Sequence, residues 1–69
     1  MNIIGKQVGK TEKGNKYIIF QDSPSTFHVS VDCNNIVGYD FIENPASMEE
    51  LHSRIISLET ELEGKINTV

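Results

Sequence analysis

The sequence predicts an α+β fold: a small four-stranded antiparallel β-meander, made of two hairpins, with one C-terminal amphipathic helix packed on the sheet. Three observations predict it. Between residues 2 and 43 apolar side chains recur with a period near two, interrupted by turn-forming clusters. After Asn44-Pro45 the period lengthens to about three and a half, with Met48, Leu51, Ile55, Leu58 and Leu62 at alternating three- and four-residue steps. At 69 residues the chain holds one domain, 1–69, with the sheet in 2–43 and the helix in 47–64.

The first hairpin pairs Ile3–Thr11 with Lys16–Gln21 around Glu12-Lys13-Gly14-Asn15. Glycine accepts positive φ, and a two-residue Lys13-Gly14 turn sets Val8 opposite Ile19 and Lys10 opposite Tyr17. Gly5 and Gly9 lie inside the strand, where they permit twist or close packing. Asp22-Ser23-Pro24-Ser25-Thr26 reads as a loop, because proline lacks a ladder donor and its neighbours form local side-chain turns. Phe27–Val31 and Ile36–Ile42 make the second hairpin. A three-residue Cys33-Asn34-Asn35 loop sets Val31 against Val37, Val29 against Tyr39 and Phe27 against Phe41, an all-apolar face.

Ser47 and Glu50 form a capping box at the start of the helix, Ala46 and Leu51 a hydrophobic staple, and Gly64 a left-handed stop. Glu49 and Glu50 suit the positive end of the helix dipole. Glu59, Glu61 and Glu63 crowd the negative end, each at a cost of a few tenths to ~1 kcal/mol. Such local violations mark surfaces that meet something else. These glutamates are read either as a solvated acidic face or as groups that meet a basic partner, including the lysine hairpin of another copy.

A chain this short buries only about 60% of the surface its unfolded form exposes. Cys33, as a single cysteine, forms no internal disulfide, and with His28 and His52 it has no zinc-site spacing. Association is the remaining source of stability. Tyr17-Ile18-Ile19-Phe20 is apolar on both faces of its strand, and one helix covers only one face. Ile56 lies about 100° around the helix from Ile55, outside the main stripe. The stripe is read either as the chain's own core, with the extra isoleucines ordinary exposed residues, or as an association surface with Leu51, Ile55, Ile56, Leu58, Glu59, Leu62 and Glu63 as candidates and a two-fold homodimer as the simplest product. A coiled coil is disfavoured, since the heptads last under three repeats and the next seam site is Lys65.

Catalytic, cofactor and metal sites find no support in the residues. Gly5-Lys6-Gln7-Val8-Gly9-Lys10-Thr11 has three residues between its glycines where a phosphate-binding P-loop needs four. Cys33 and His28 fall on opposite faces of one strand, and Asp22, Asp32 and Asp40 are scattered. No apolar run approaches the roughly 20 residues of a membrane span, and a cytoplasmic location is expected. Net charge is −4 but two-ended, with Lys6, Lys10, Lys13 and Lys16 at the start and most carboxylates in the last half. The expected function is that of a small acidic non-enzymatic protein-binding module. It would be a regulator or inhibitor of the phage or mobile-element type, with another protein or itself as partner. The alternative is nucleic-acid or nucleotide binding on the N-terminal hairpin, with Lys6, Lys10, Lys16 and Tyr17 as anion-binding candidates.

Overall fold

The computed structural model describes residues 4–67. Its elements are β1 (Gly5–Lys10), β2 (Lys16–Ser23), β3 (Thr26–Cys33), β4 (Ile36–Glu43) and α1 (Met48–Asn67). The strands form one antiparallel sheet in the order β1-β2-β3-β4, and α1 packs on β3 and β4. This is the predicted α+β meander with its C-terminal helix. Asn2 and Ile3, expected in the first strand, lie outside the described residues.

The two hairpin registers differ from those expected, and loop chemistry is the reason. In the first hairpin Thr11 pairs with Asn15 through Thr11 N to Asn15 O at 2.8 Å, and Gly14 N closes a turn on Thr11 O at 2.9 Å. Gly14 sits at φ 87°, so Glu12-Lys13-Gly14 is a three-residue loop with glycine in the left-handed position. Val8 is therefore opposite Ile18 and Lys10 opposite Lys16, not Ile19 and Tyr17. Tyr17 instead lies over Gly9, where an added Cβ would come within 2.6 Å of the phenol oxygen.

In the second hairpin Cys33 pairs with Ile36, leaving Asn34-Asn35 as a two-residue loop. Both take positive φ, 51° and 67°, as a type I′ turn requires, and asparagine tolerates this. One residue fewer in the loop moves β4 by one register position, which turns every β4 side chain to the other face. The expected pairs are replaced by Val31 with Gly38, Val29 with Asp40 and Phe27 with Ile42. The expected loop at 22–26 is also tighter, since Ser23 pairs with Thr26 and its Oγ accepts the Thr26 N–H at 3.1 Å.

The face under the helix carries the core: Ile19, Val29, Val31, Cys33 and Ile42 from the sheet, and Leu51, Ile55, Leu58 and Leu62 from α1. The helix comes close at Gly38, where a Cβ would meet Leu62 Cδ1 at 3.1 Å. At its start Glu50 Oε1 accepts the N–H of Ala46 at 3.0 Å, one residue upstream of the partner a capping box uses. At its end α1 runs through Gly64 to Asn67 instead of stopping there. Ile66 continues the four-residue step from Leu58 and Leu62 and packs against the core, which offsets the ~1 kcal/mol that glycine costs inside a helix.

The Asn34-Asn35 turn thus decides which side chains β4 buries. Asn35→Val is expected to destabilise the fold by about 1–2 kcal/mol, since a branched residue resists the left-handed region, whereas Asn35→Gly should be neutral or stabilising. Urea unfolding of both variants checks this. A valine variant as stable as wild type would contradict it.

Candidate functional site on the open face of the sheet

The face of the sheet turned away from α1 is built by alternate residues of all four strands. From β1 to β4 its first row reads Lys6, Phe20, His28 and Phe41. The second row is Val8, Ile18, Ser30 and Tyr39, and the third is Lys10, Lys16, Asp32 and Val37. Val8, Val37, Tyr39 and Phe41 are 51 to 62% exposed. On β4 the amphipathic pattern is inverted. The strand turns Val37, Tyr39 and Phe41 to solvent, and turns Gly38 and Asp40 toward the helix, where Asp40 accepts from Arg54 at 3.2 Å.

His28 is the hub of this face. Its ring stacks on Phe20 at 4.5 Å and 9° between planes, and lies 5.8 Å from Tyr39 and 6.2 Å from Phe41. The Asp22 carboxylate only accepts, so Nε2 donates to Asp22 Oδ2 at 2.9 Å, and Nδ1 shares a hydrogen bond with the Tyr39 hydroxyl at 2.5 Å. Phe20 and His28 are direct cross-strand partners, and their spacing is close to the ~4.8 Å between strands. The two rings therefore stand upright, stacked side by side, with edges and not faces toward solvent. The result is an amphipathic aromatic ridge in which both nitrogens of the His28 ring are hydrogen-bonded, to Asp22 and to Tyr39.

The residues expected to form a helix surface fall in three places. Leu51, Ile55, Leu58 and Leu62 are buried in the chain's own core. Ile56 is 59% exposed, alone among them. Glu59 and Glu63 meet the lysine-bearing hairpin of the same chain. Glu59, 4% exposed, accepts hydrogen bonds from Thr11 Oγ1 at 2.5 Å and Asn15 Nδ2 at 2.6 Å, and Glu63 pairs with Lys13 at 2.5 Å. Burial pushes the Glu59 carboxyl upward, but the bonds from Thr11 and Asn15 and the nearby Lys13 ammonium outweigh it and hold it below its ordinary value of 4.5. The hydrogen bond with Glu63 in turn raises Lys13 above 10.5.

Of the anion-binding candidates, Lys6, Lys10 and Lys16 share the open face, and none makes an ion pair among the described residues. Tyr17 points to the opposite face, edge-on to His52 at 5.8 Å and 86°. A groove of about 330 Å³ beside it runs between α1 and the hairpin tip, past His52, Ile56 and Glu59. Cys33 is in the core and His28 on the open face, so the sheet separates them. Among the described residues no three His, Cys, Asp or Glu side chains gather where they could hold a metal ion. None of the described helices is long and apolar enough to cross a membrane.

The sequence reading did not single out Val8, His28, Val37, Tyr39 or Phe41 as surface groups. The signal available was the Asn-Asn pair, which fits a two-residue turn as well as part of a longer loop. No family model matches the chain, and no curated protein or solved structure is found to be similar to it.

Glu59 anchors the hairpin, and its replacement by alanine is expected to destabilise the fold by about 1–3 kcal/mol by stranding Thr11 and Asn15. Because its folded-state carboxyl titrates below that of the unfolded chain, its contribution is present above pH 4.5 and disappears as pH falls through the lower, folded value. Thermal melts from pH 7 to 3 should show wild type losing its advantage over Glu59→Gln below about pH 4.5. An advantage that did not shrink at all between pH 5 and pH 3 would contradict this.

Proposed function

We propose that the chain is a non-enzymatic protein-binding module, a regulator that acts by occupying another protein surface with the open face of its sheet. The observation that carries this reading is strand β4, which exposes Val37, Tyr39 and Phe41 on the open face while Gly38 and Asp40 take positions on the helix side beside the buried Ile42. Fully burying an aromatic or branched aliphatic side chain contributes ~1.5–3 kcal/mol. A chain with so small a core leaves that contribution unused unless something covers the face. Upright rings fixed by Asp22 and Tyr39 lose little rotamer freedom on docking, which is the economy that favours aromatic anchors in protein interfaces.

Nucleic-acid or nucleotide binding is a second reading, favoured by the placement of Lys6, Lys10 and Lys16 on this same face. The ring geometry speaks against it. A base stacks on an aromatic face, and Phe20 and His28 each turn one face to the other and an edge to solvent. Carboxylates also border the basic column at Asp32.

Light scattering and affinity capture on wild type and three variants test the reading. Tyr39→Asp and Phe41→Asp are expected to weaken self-association or partner capture by roughly 30-fold or more, the size of an interface hot spot. Ile56→Asp, on the far side of the molecule, should leave both intact. Leu58→Asp reports only on folding, because Leu58 is core. Association indifferent to Tyr39→Asp and Phe41→Asp would overturn the reading. Salt-sensitive retention on RNA or DNA that is lost in a Lys6, Lys10 and Lys16 triple alanine variant would put the second reading in its place.

A further inference from the structure

We propose that the occupant of the open face is a second copy of this chain, seated face to face about a two-fold axis that runs along the strands. This rests on the open face being a protein-binding surface, and it adds the partner and the geometry. Four strands at ~4.8 Å spacing and eight residues at ~3.4 Å each give a face of roughly 19 by 27 Å. Two such faces in contact cover on the order of 1,000 Å², the lower bound for stable association.

The charge pattern selects the axis. In aligned sheet packing the two-fold of a symmetric pair lies either across the strands or along them. An axis across the strands sets β1 on β1 and brings Lys6 against Lys10 of the second copy, like charge against like. An axis along the strands sets β1 on β4 and β2 on β3 of the second copy, row for row. Lys16 then meets Asp32 of the second copy, and symmetry makes the pair twice. Lys6 then lies beside the Phe41 ring of the second copy, and Val8 packs on its Tyr39. Strand directions of the two sheets then stay within about 30° of each other, as in ordinary aligned sheet packing.

This arrangement also resolves a local conflict. Lys10 and Lys16 are direct cross-strand partners, and like charges so placed are destabilising. Asp32 lies beside Lys16 across the next strand pair, but no ion pair joins them among the described residues. A second copy brings another carboxylate to Lys16 and covers the Lys10 stem with Val37.

Charge exchange separates this geometry from contacts within one chain. Lys16→Asp and Asp32→Lys, each confirmed as folded by circular dichroism, should dimerise roughly tenfold or more weakly than wild type in sedimentation equilibrium, because symmetry repeats each mismatch. An equimolar mixture of the two should form heterodimers with near wild-type affinity. Within each variant the neighbours at 16 and 32 still carry like charges, so only a contact between copies produces that rescue. Wild-type dimers indifferent to both exchanges, or a mixture that does not rescue, would overturn the arrangement. A wild-type chain still monomeric at ~1 mM that captures another protein through Phe41 would overturn the second copy and leave the binding-face reading standing. Dimers unaffected by Phe41→Asp would overturn both.

Discussion

One helix covers only one face of a sheet, and the rest of this structure follows from that limit. A helix about 10–12 Å across is narrower than four strands, so α1 packs mainly on β3 and β4, reaches β2 through Ile19 and Tyr17, and leaves the β1 hairpin tip to be held by other means. The means are polar. Glu59 and Glu63 reach from α1 to Thr11, Asn15 and Lys13 at the hairpin tip, and Tyr17 covers Gly9 from the helix side. Of these the buried Glu59 bonds matter most, because the Lys13 pair is exposed to water and salt.

The same limit leaves the second face bare. Apolar residues scattered singly on a surface need no explanation, but here Val8, Ile18, Phe20, Val37, Tyr39 and Phe41 occupy adjoining positions of one ladder. The Asp22–His28–Tyr39 hydrogen bonds set polar groups among them and fix their orientation. The acidic surplus lies largely on the helix and its flanks, and the lysines line the β1 side of the open face. Net charge therefore hides a face that is basic on its β1 side and aromatic on its β4 side.

All four strands and the helix, though not its end, were legible in the sequence, because alternation at period two and the later change to three and a half are strong local signals. What was not legible was the side of the sheet each residue takes. Face assignment depends on loop length by parity, and Glu12-Lys13-Gly14 and Asn34-Asn35 each departed from expectation by one residue. For β4 the composition pulled the same wrong way, since Val37, Tyr39 and Phe41 make the more apolar set and face water. The glutamates crowded at the end of α1 suggested either a solvated face or a basic partner, and two of them, Glu59 and Glu63, do meet a lysine-bearing partner. That partner is the hairpin of the same chain, a contact between residues 44 to 50 positions apart that no local pattern encodes.

The account stands on the open face being covered when the protein is at work. Its most direct test is an amide and aromatic NMR dilution series, from about 1 mM downward, followed residue by residue. Shifts that move together at Val8, Ile18, His28, Tyr39 and Phe41 while Leu51, Ile55 and Ile56 stay fixed are the predicted result. Concentration-dependent shifts confined to α1 around Ile56, with the strand residues unchanged, would contradict it.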